Sequence, residues 1–155
     1  MHTLTQPLQH HHKHCDDLFA TAEANAHAGE WAACAQTFNR FREEMESHFA
    51  TEEQVLFPAF EATTGMTGGP TQMMRMEHSQ VRELLGQMAG ALAARDRDDF
   101  AGAAETLLIL MQQHNMKEEN ILYPMCERSL DAASLDIGGR LQERLNERLE
   151  GVCLA

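Results

Sequence analysis

The 155-residue chain contains only four prolines, no C-x-x-C pair, no cluster of basic residues and no long apolar run. Each scarcity excludes something. Few prolines beside much Ala, Leu, Met, Gln and Glu favour helix over sheet. The four cysteines, Cys15, Cys34, Cys126 and Cys153, stand far apart, which removes a zinc knuckle or redox dithiol and leaves free thiols of a reducing compartment. With 24 acidic against 12 basic residues the formal charge is -12, so phosphate backbones and anionic lipid surfaces are poor partners and nucleic acid is not expected. The N-terminal MHTLTQPLQHHHKH has no apolar signal core, and the strongest apolar run, Leu107 to Met111, is too short to cross a bilayer. A soluble, cytoplasmic protein without a membrane partner is the expectation.

What is present is helical periodicity in one domain's length of chain. The first helix starts at Pro7, a favourable first helical residue, and runs to a turn at Gly29. The second runs from Glu30 to about Phe60, with Phe38, Phe41, Met45, Phe49 and Leu56 at mostly three- and four-residue spacings. Thr63 to Pro70 reads as a loop. A third helix spans about Thr71 to Ala94, and a fourth, capped by Asp96 or Asp98, extends to about Arg128. Short connections imply an all-α, up-down-up-down four-helix bundle over residues 1–130. Residues 131–155 add a short amphipathic helix with Leu141, Leu145 and Leu149, packing on the bundle or on a second subunit of a homodimer.

An internal repeat locates the chemistry. Ser47 to Glu61 resembles Gln113 to Glu127, with His48/His114, Glu52/Glu118, Glu53/Glu119, Leu56/Leu122, Pro58/Pro124 and Glu61/Glu127 identical at a constant offset of 66. Carried backwards without a gap, the offset pairs His12 with His78 and Leu18 with Leu84. Two copies of His…His-x-x-x-Glu result. His48 and Glu52 share one helix face, as do His114 and Glu118, and that face is the apolar one. At a rise of ~1.5 Å per residue, His12 and His48 lie at nearly the same height on antiparallel neighbours, and the other pair does likewise.

Four imidazoles and two carboxylates converging in an apolar interior are costly unless something holds them. A dinuclear metal centre accounts for them, each metal taking two histidines and the glutamates bridging. The donors are His12, His48, Glu52, His78, His114 and Glu118. Nitrogen and carboxylate ligands without thiolate suit iron first, with manganese or zinc behind it.

The paired His-x-x-x-Glu-Glu-x-x-Leu-(Phe/Tyr)-Pro segments resemble the hemerythrin-like, or HHE cation-binding, domain over about Pro7 to Arg128. The resemblance implies a four-helix bundle holding two non-haem irons with an oxo or hydroxo bridge on the same six residues. Oxygen-carrying hemerythrins differ by a second histidine four residues after the third-helix ligand and a terminal His-x-x-x-x-Asp; here those positions give Arg82 and His-x-x-x-Glu. A more open iron pair points to binding of, or reaction with, dioxygen, peroxide or nitric oxide. The alternative is an iron-handling, iron-centre repair or metal-sensing regulatory module without its own catalysis.

Several neighbours have ordinary readings. Glu53 and Glu119, about 100° round the helix, suit support of the ligands. Pro58 and Pro124 kink or end their helices. Asp16 could add an oxygen ligand, and Tyr123 could line the pocket or supply a proton, although its counterpart Phe57 suggests packing. Of the run His10, His11, His12 and His14, His12 faces the buried stripe, His11 its edge as the runner-up ligand, and His10 and His14 the surface.

Overall fold

The computed structural model describes the backbone of residues 4–154 and the side chains of residues 4–145 apart from 132 and 135. Helix α1 spans Gln6–His27, with Pro7 in its first turn, and Gly29 at φ 75° makes the reversal. Helix α2 (Trp31–Thr51) is continued by a five-residue π-helical turn, Glu52–Leu56, and by α3 (Phe57–Thr64), which Gly65 ends in the left-handed conformation. Helix α4 spans Pro70–Ala94. The carboxylate of Asp96 then accepts from the Asp99 backbone N–H at 3.0 Å and caps α5 (Arg97–Lys117). A second π-helical turn, Glu118–Leu122, leads into α6 (Tyr123–Ser129), and a short 3-10 turn precedes α7 (Ser134–Leu154).

The second and fourth rods of the bundle are therefore not continuous α-helices. Each is broken by a π-turn that begins at the glutamate four residues after the histidine. Pro58 and Pro124 lie just beyond. Proline cannot donate to the carbonyl one turn back and its ring crowds it, so a wider turn before each proline relieves the clash without ending the rod. The kink expected from proline is met by this local widening.

The apolar interior is divided. One cluster, including Cys15, Phe19, Phe38, Phe41, Phe49, Val81 and Leu107, fills the end beside the α1–α2 reversal. A second, including Leu8, Val55, Leu56, Phe60, Met74 and Leu122, fills the other end and takes in Ile137, Leu141 and Leu145 of α7. Leu149 lies outside the described side chains. Between the clusters runs a buried polar layer, because each rod changes cluster at its histidine: Leu8 and Cys15 flank His12, and Met74 and Val81 flank His78. Among the described residues no helix is long and apolar enough to cross a membrane.

Candidate metal centre

The six residues picked out by the repeat meet in this layer. Glu52, His78 and Glu118 are fully buried, and His12, His48 and His114 are at most 5% exposed. Helix α1 supplies His12, α2 His48, α4 His78 and α5 His114, while the two glutamates open the π-turns. The ligand-capable atoms form two groups. Glu52, His78, His114 and Glu118 make one; His12, His48 and Glu118 make the other, so Glu118 belongs to both.

The inner atoms are close to one another but poorly satisfied. Nε2 of His78 lies 3.1 Å from Glu52 Oε1, Nε2 of His114 lies 3.2 Å from Glu118 Oε1, and His48 Nε2 lies 3.6 Å from Glu52 Oε1. Yet the Nε2 atoms of His48, His78 and His114, with Glu52 Oε1 and Glu118 Oε2, have no partner in hydrogen-bond geometry. A buried polar atom left unpaired costs about 1–3 kcal/mol. Five such atoms aimed into one space fit a bound cation, and a donor set of imidazole and carboxylate without thiolate fits iron, manganese or zinc.

The outer nitrogen of each imidazole has its own partner. His78 Nδ1 meets Glu53 at 2.6 Å, and Arg82 clamps that carboxylate with two bonds of 3.1 Å. Glu77 lies 2.9 Å from His114 Nδ1 and accepts from Lys117 at 2.7 Å. His12 Nδ1 has only a long contact, 3.4 Å, with Glu119. His48 Nδ1 meets Nδ1 of His11 at 2.9 Å, and Nε2 of His11 meets the fully buried Glu44 at 2.8 Å. With its Nε2 turned inward as an acceptor, His48 carries its proton on Nδ1 and donates it to His11. His11 then keeps its own proton on Nε2 for Glu44. Such partners fix the tautomer and aim of an inward imidazole.

Burial alone lowers a histidine's proton affinity, but hydrogen bonds to Glu118 and Glu119 reverse this for His12 and raise its pKa to about 10. The same contest, with Glu52 and Glu53, raises that of His78 to about 9. Burial and then the neighbouring Glu118 carboxylate push Glu52 up to about 7. Without a cation, then, the layer holds extra protons at positions that a cation would displace.

Against expectation from Phe57, the Tyr123 hydroxyl is part of the layer: it donates to Glu52 at 2.8 Å and lies 3.3 Å from Glu118. Burial first, then both carboxylates, holds its pKa well above the ordinary phenol value, so it remains a neutral donor. Asp16 is exposed and joins neither group. His11 stands behind His48 instead of beside the inner atoms, and His10 is exposed. Half-buried His14 places its ring 5.9 Å from that of His11, so it is not a simple surface neighbour.

The hemerythrin HHE cation-binding domain model matches residues 3–126. The chain belongs to this family. The chain is also 30% identical over 135 residues to the iron-sulfur cluster repair protein YtfE of Edwardsiella ictaluri (strain 93-146), a match covering 75% of this chain. The chain spans 60% of that relative's length. No solved structure matches it. Sequence reasoning about this HHE domain missed Glu44, Glu77, Arg82 and Lys117 as supports. One signal was available: the offset of 66 pairs His11 with Glu77, the two residues that back His48 and His114.

Proposed function

We propose that the protein is a non-haem di-iron protein that binds or reacts with dioxygen, peroxide or nitric oxide. The observation that carries this reading is the set of five unpaired inner atoms in two ligand groups that share Glu118. His12 and His48 would hold one iron, His78 and His114 the other, with Glu118 and Glu52 between them. An iron pair supplies open coordination positions and redox equivalents. The chain supplies the rest. Phe49 and Phe57, both fully buried, stack on His78 and keep water from that side. The Tyr123 hydroxyl holds a proton at the centre of the layer, within reach of both glutamates. Glu119, Glu53 and Glu77 hold the Nδ1 protons of His12, His78 and His114, His11 takes that of His48, and each Nε2 is left facing inward.

Freshly purified protein should contain two irons per chain and show near-ultraviolet charge-transfer bands that change with azide, oxygen or nitric oxide. A colourless preparation with substoichiometric zinc that stays folded with chelator would overturn the reading. His12→Ala should lower iron occupancy, whereas His10→Ala should leave it nearly unchanged.

A second reading, iron-centre repair or iron handling, draws on the name of the 30% identical relative. It predicts transfer of iron from the loaded protein to an apo iron-sulfur acceptor faster than release to solution. Equal rates would count against it.

A further inference from the structure

One matched pair of the repeat has no part in the layer. Glu61 and Glu127 are identical at the offset of 66 and lie beyond the inner glutamates on the same rods. Each meets a threonine at the start of a neighbouring helix. The Thr71 hydroxyl donates to Glu61 at 2.6 Å, and the Thr5 hydroxyl donates to Glu127 at 2.5 Å. These threonines stand at the same offset, and both are fully buried. Their surroundings differ: Arg75 donates to Glu61 at 3.1 Å and lies over the Phe57 ring, whereas Gln9, at the place of Arg75 in the repeat, donates to Thr5.

A π-turn separates each inner glutamate from its threonine pair. The wide bond of the turn runs from the Phe57 N–H to the Glu52 carbonyl, and from the Tyr123 N–H to that of Glu118. In an α-helix, side chains five residues apart diverge by about 140°. Here the Tyr123 hydroxyl lies 3.3 Å from the Glu118 carboxylate. The wide turn thus brings position 123 round to the layer, and it does so by adding one residue to the rod. If the turn tightened into ordinary α-helix, the segment beyond it would rotate by about 100°, taking Tyr123 from Glu118 and Glu127 from Thr5 together. The threonine pairs fit the wide register alone. We propose that Thr5–Glu127 and Thr71–Glu61 are register locks, positioning residues at the end of the bundle that keep each rod in its wide turn and so hold Tyr123 and Phe57 toward the polar layer. The lock stands on geometry; its consequence for bound ions rests on the di-iron reading above.

Tyr123 is the only tyrosine of the chain, so its exposure is read directly. A hydrogen bond to a charged group favours the paired state by roughly tenfold or more. In metal-free protein, acetylation of Tyr123 by N-acetylimidazole, followed by peptide mass, should quicken roughly tenfold in Thr5→Val and stay near wild type in Thr5→Ser. Glu127→Ala breaks the same pair from its other side and should match Thr5→Val. Thr71→Val is the matched control. It removes the same kind of bond but releases the rod that carries Phe57, so Tyr123 should keep its wild-type rate. Iron-loaded Thr5→Val should lose iron to a chelator roughly tenfold faster than Thr5→Ser, with circular dichroism unchanged. Equal acetylation in Thr5→Val and wild type, or an equal rise in Thr71→Val, would overturn the proposal, as would faster acetylation with iron loss unaltered. Faster acetylation in Thr5→Val when wild type takes up no iron would sink the di-iron reading and leave the lock standing.

Discussion

The two halves of the repeat agree at the inner atoms and in the glutamate behind His78 and His12, and differ in most of what else holds them. Behind His78 stands Glu53 with Arg82; behind its counterpart His12 stands Glu119, with Asp16 where Arg82 would be. Glu77 and Lys117 support His114, whereas His11 and Glu44 support His48. Phe57 packs on His78, while Tyr123, its counterpart, brings a hydroxyl inward. The His78 side is clamped by cations and rings; on the other side His48 is held by the His11–Glu44 pair, whereas His12 is loosely backed and lies beside the Tyr123 hydroxyl. Inner ligands set which ion is held, and their supports decide which side stays adaptable.

The largest break in this comparison should come from the residue common to both groups. Glu118→Gln is expected to bring iron below one per chain, whereas Glu52→Gln, which touches the four-membered group, should retain about one; elemental analysis distinguishes them. Equal losses would mean that the two carboxylates bridge alike.

Next in size is the effect of pH on metal-free protein. His12 and His78 hold protons more tightly folded than the ordinary value of 6.5, so their contribution is complete below about that pH. It is lost as pH rises, first through about 9 for His78 and then about 10 for His12. Thermal unfolding of the metal-free form should therefore move to lower temperature between pH 6.5 and 10, and imidazole NMR titrations should show His78 releasing its proton first. Iron-loaded protein, having already displaced these protons, should show little of this change.

Smaller again are the supports. Glu77→Gln and His11→Ala are each expected to weaken retention of one metal by roughly tenfold in competition with a chelator, as removal of a partner behind a ligating histidine does. Smallest should be the contrast between Arg82→Ala and Asp16→Ala at matched repeat positions. Arg82 is one-third exposed, so losing its clamp on Glu53 should cost about 1 kcal/mol in chemical denaturation. Asp16→Ala should fall within about 0.5 kcal/mol of wild type.

The rods, their antiparallel order and the six inner residues were legible because helical period and a gapless repeat act together. Histidines 36 residues apart share a level when the reversal falls midway, as it does near Gly29 and at Asp96. Glu53 and Glu119 follow the repeat and were legible as supports, but Glu44, Arg82 and Lys117 were harder to read because they reach across helices and break it. Arg82 occupies the place of Asp16, and Glu44 that of Leu110, so symmetry predicts the wrong partner. The π-turns leave no periodic trace. Each depends on a proline pressing on a rod whose ends are fixed by packing. Tyr123 stayed open between proton donor and packing ring because its counterpart is Phe57, and one hydroxyl separates the two roles.

The polar layer between the two apolar clusters reverses the usual profile of a helix bundle, in which ends fray and middles persist. Without a cation, this bundle has its apolar packing toward the ends and its unpaired buried atoms at mid-height, so amide exchange should breach the rods first around His48, Glu52, His114 and Glu118. A cation bound there would act as a rivet through the waist of the molecule. Rigidity at mid-height would report cation occupancy to anything touching the outer surface.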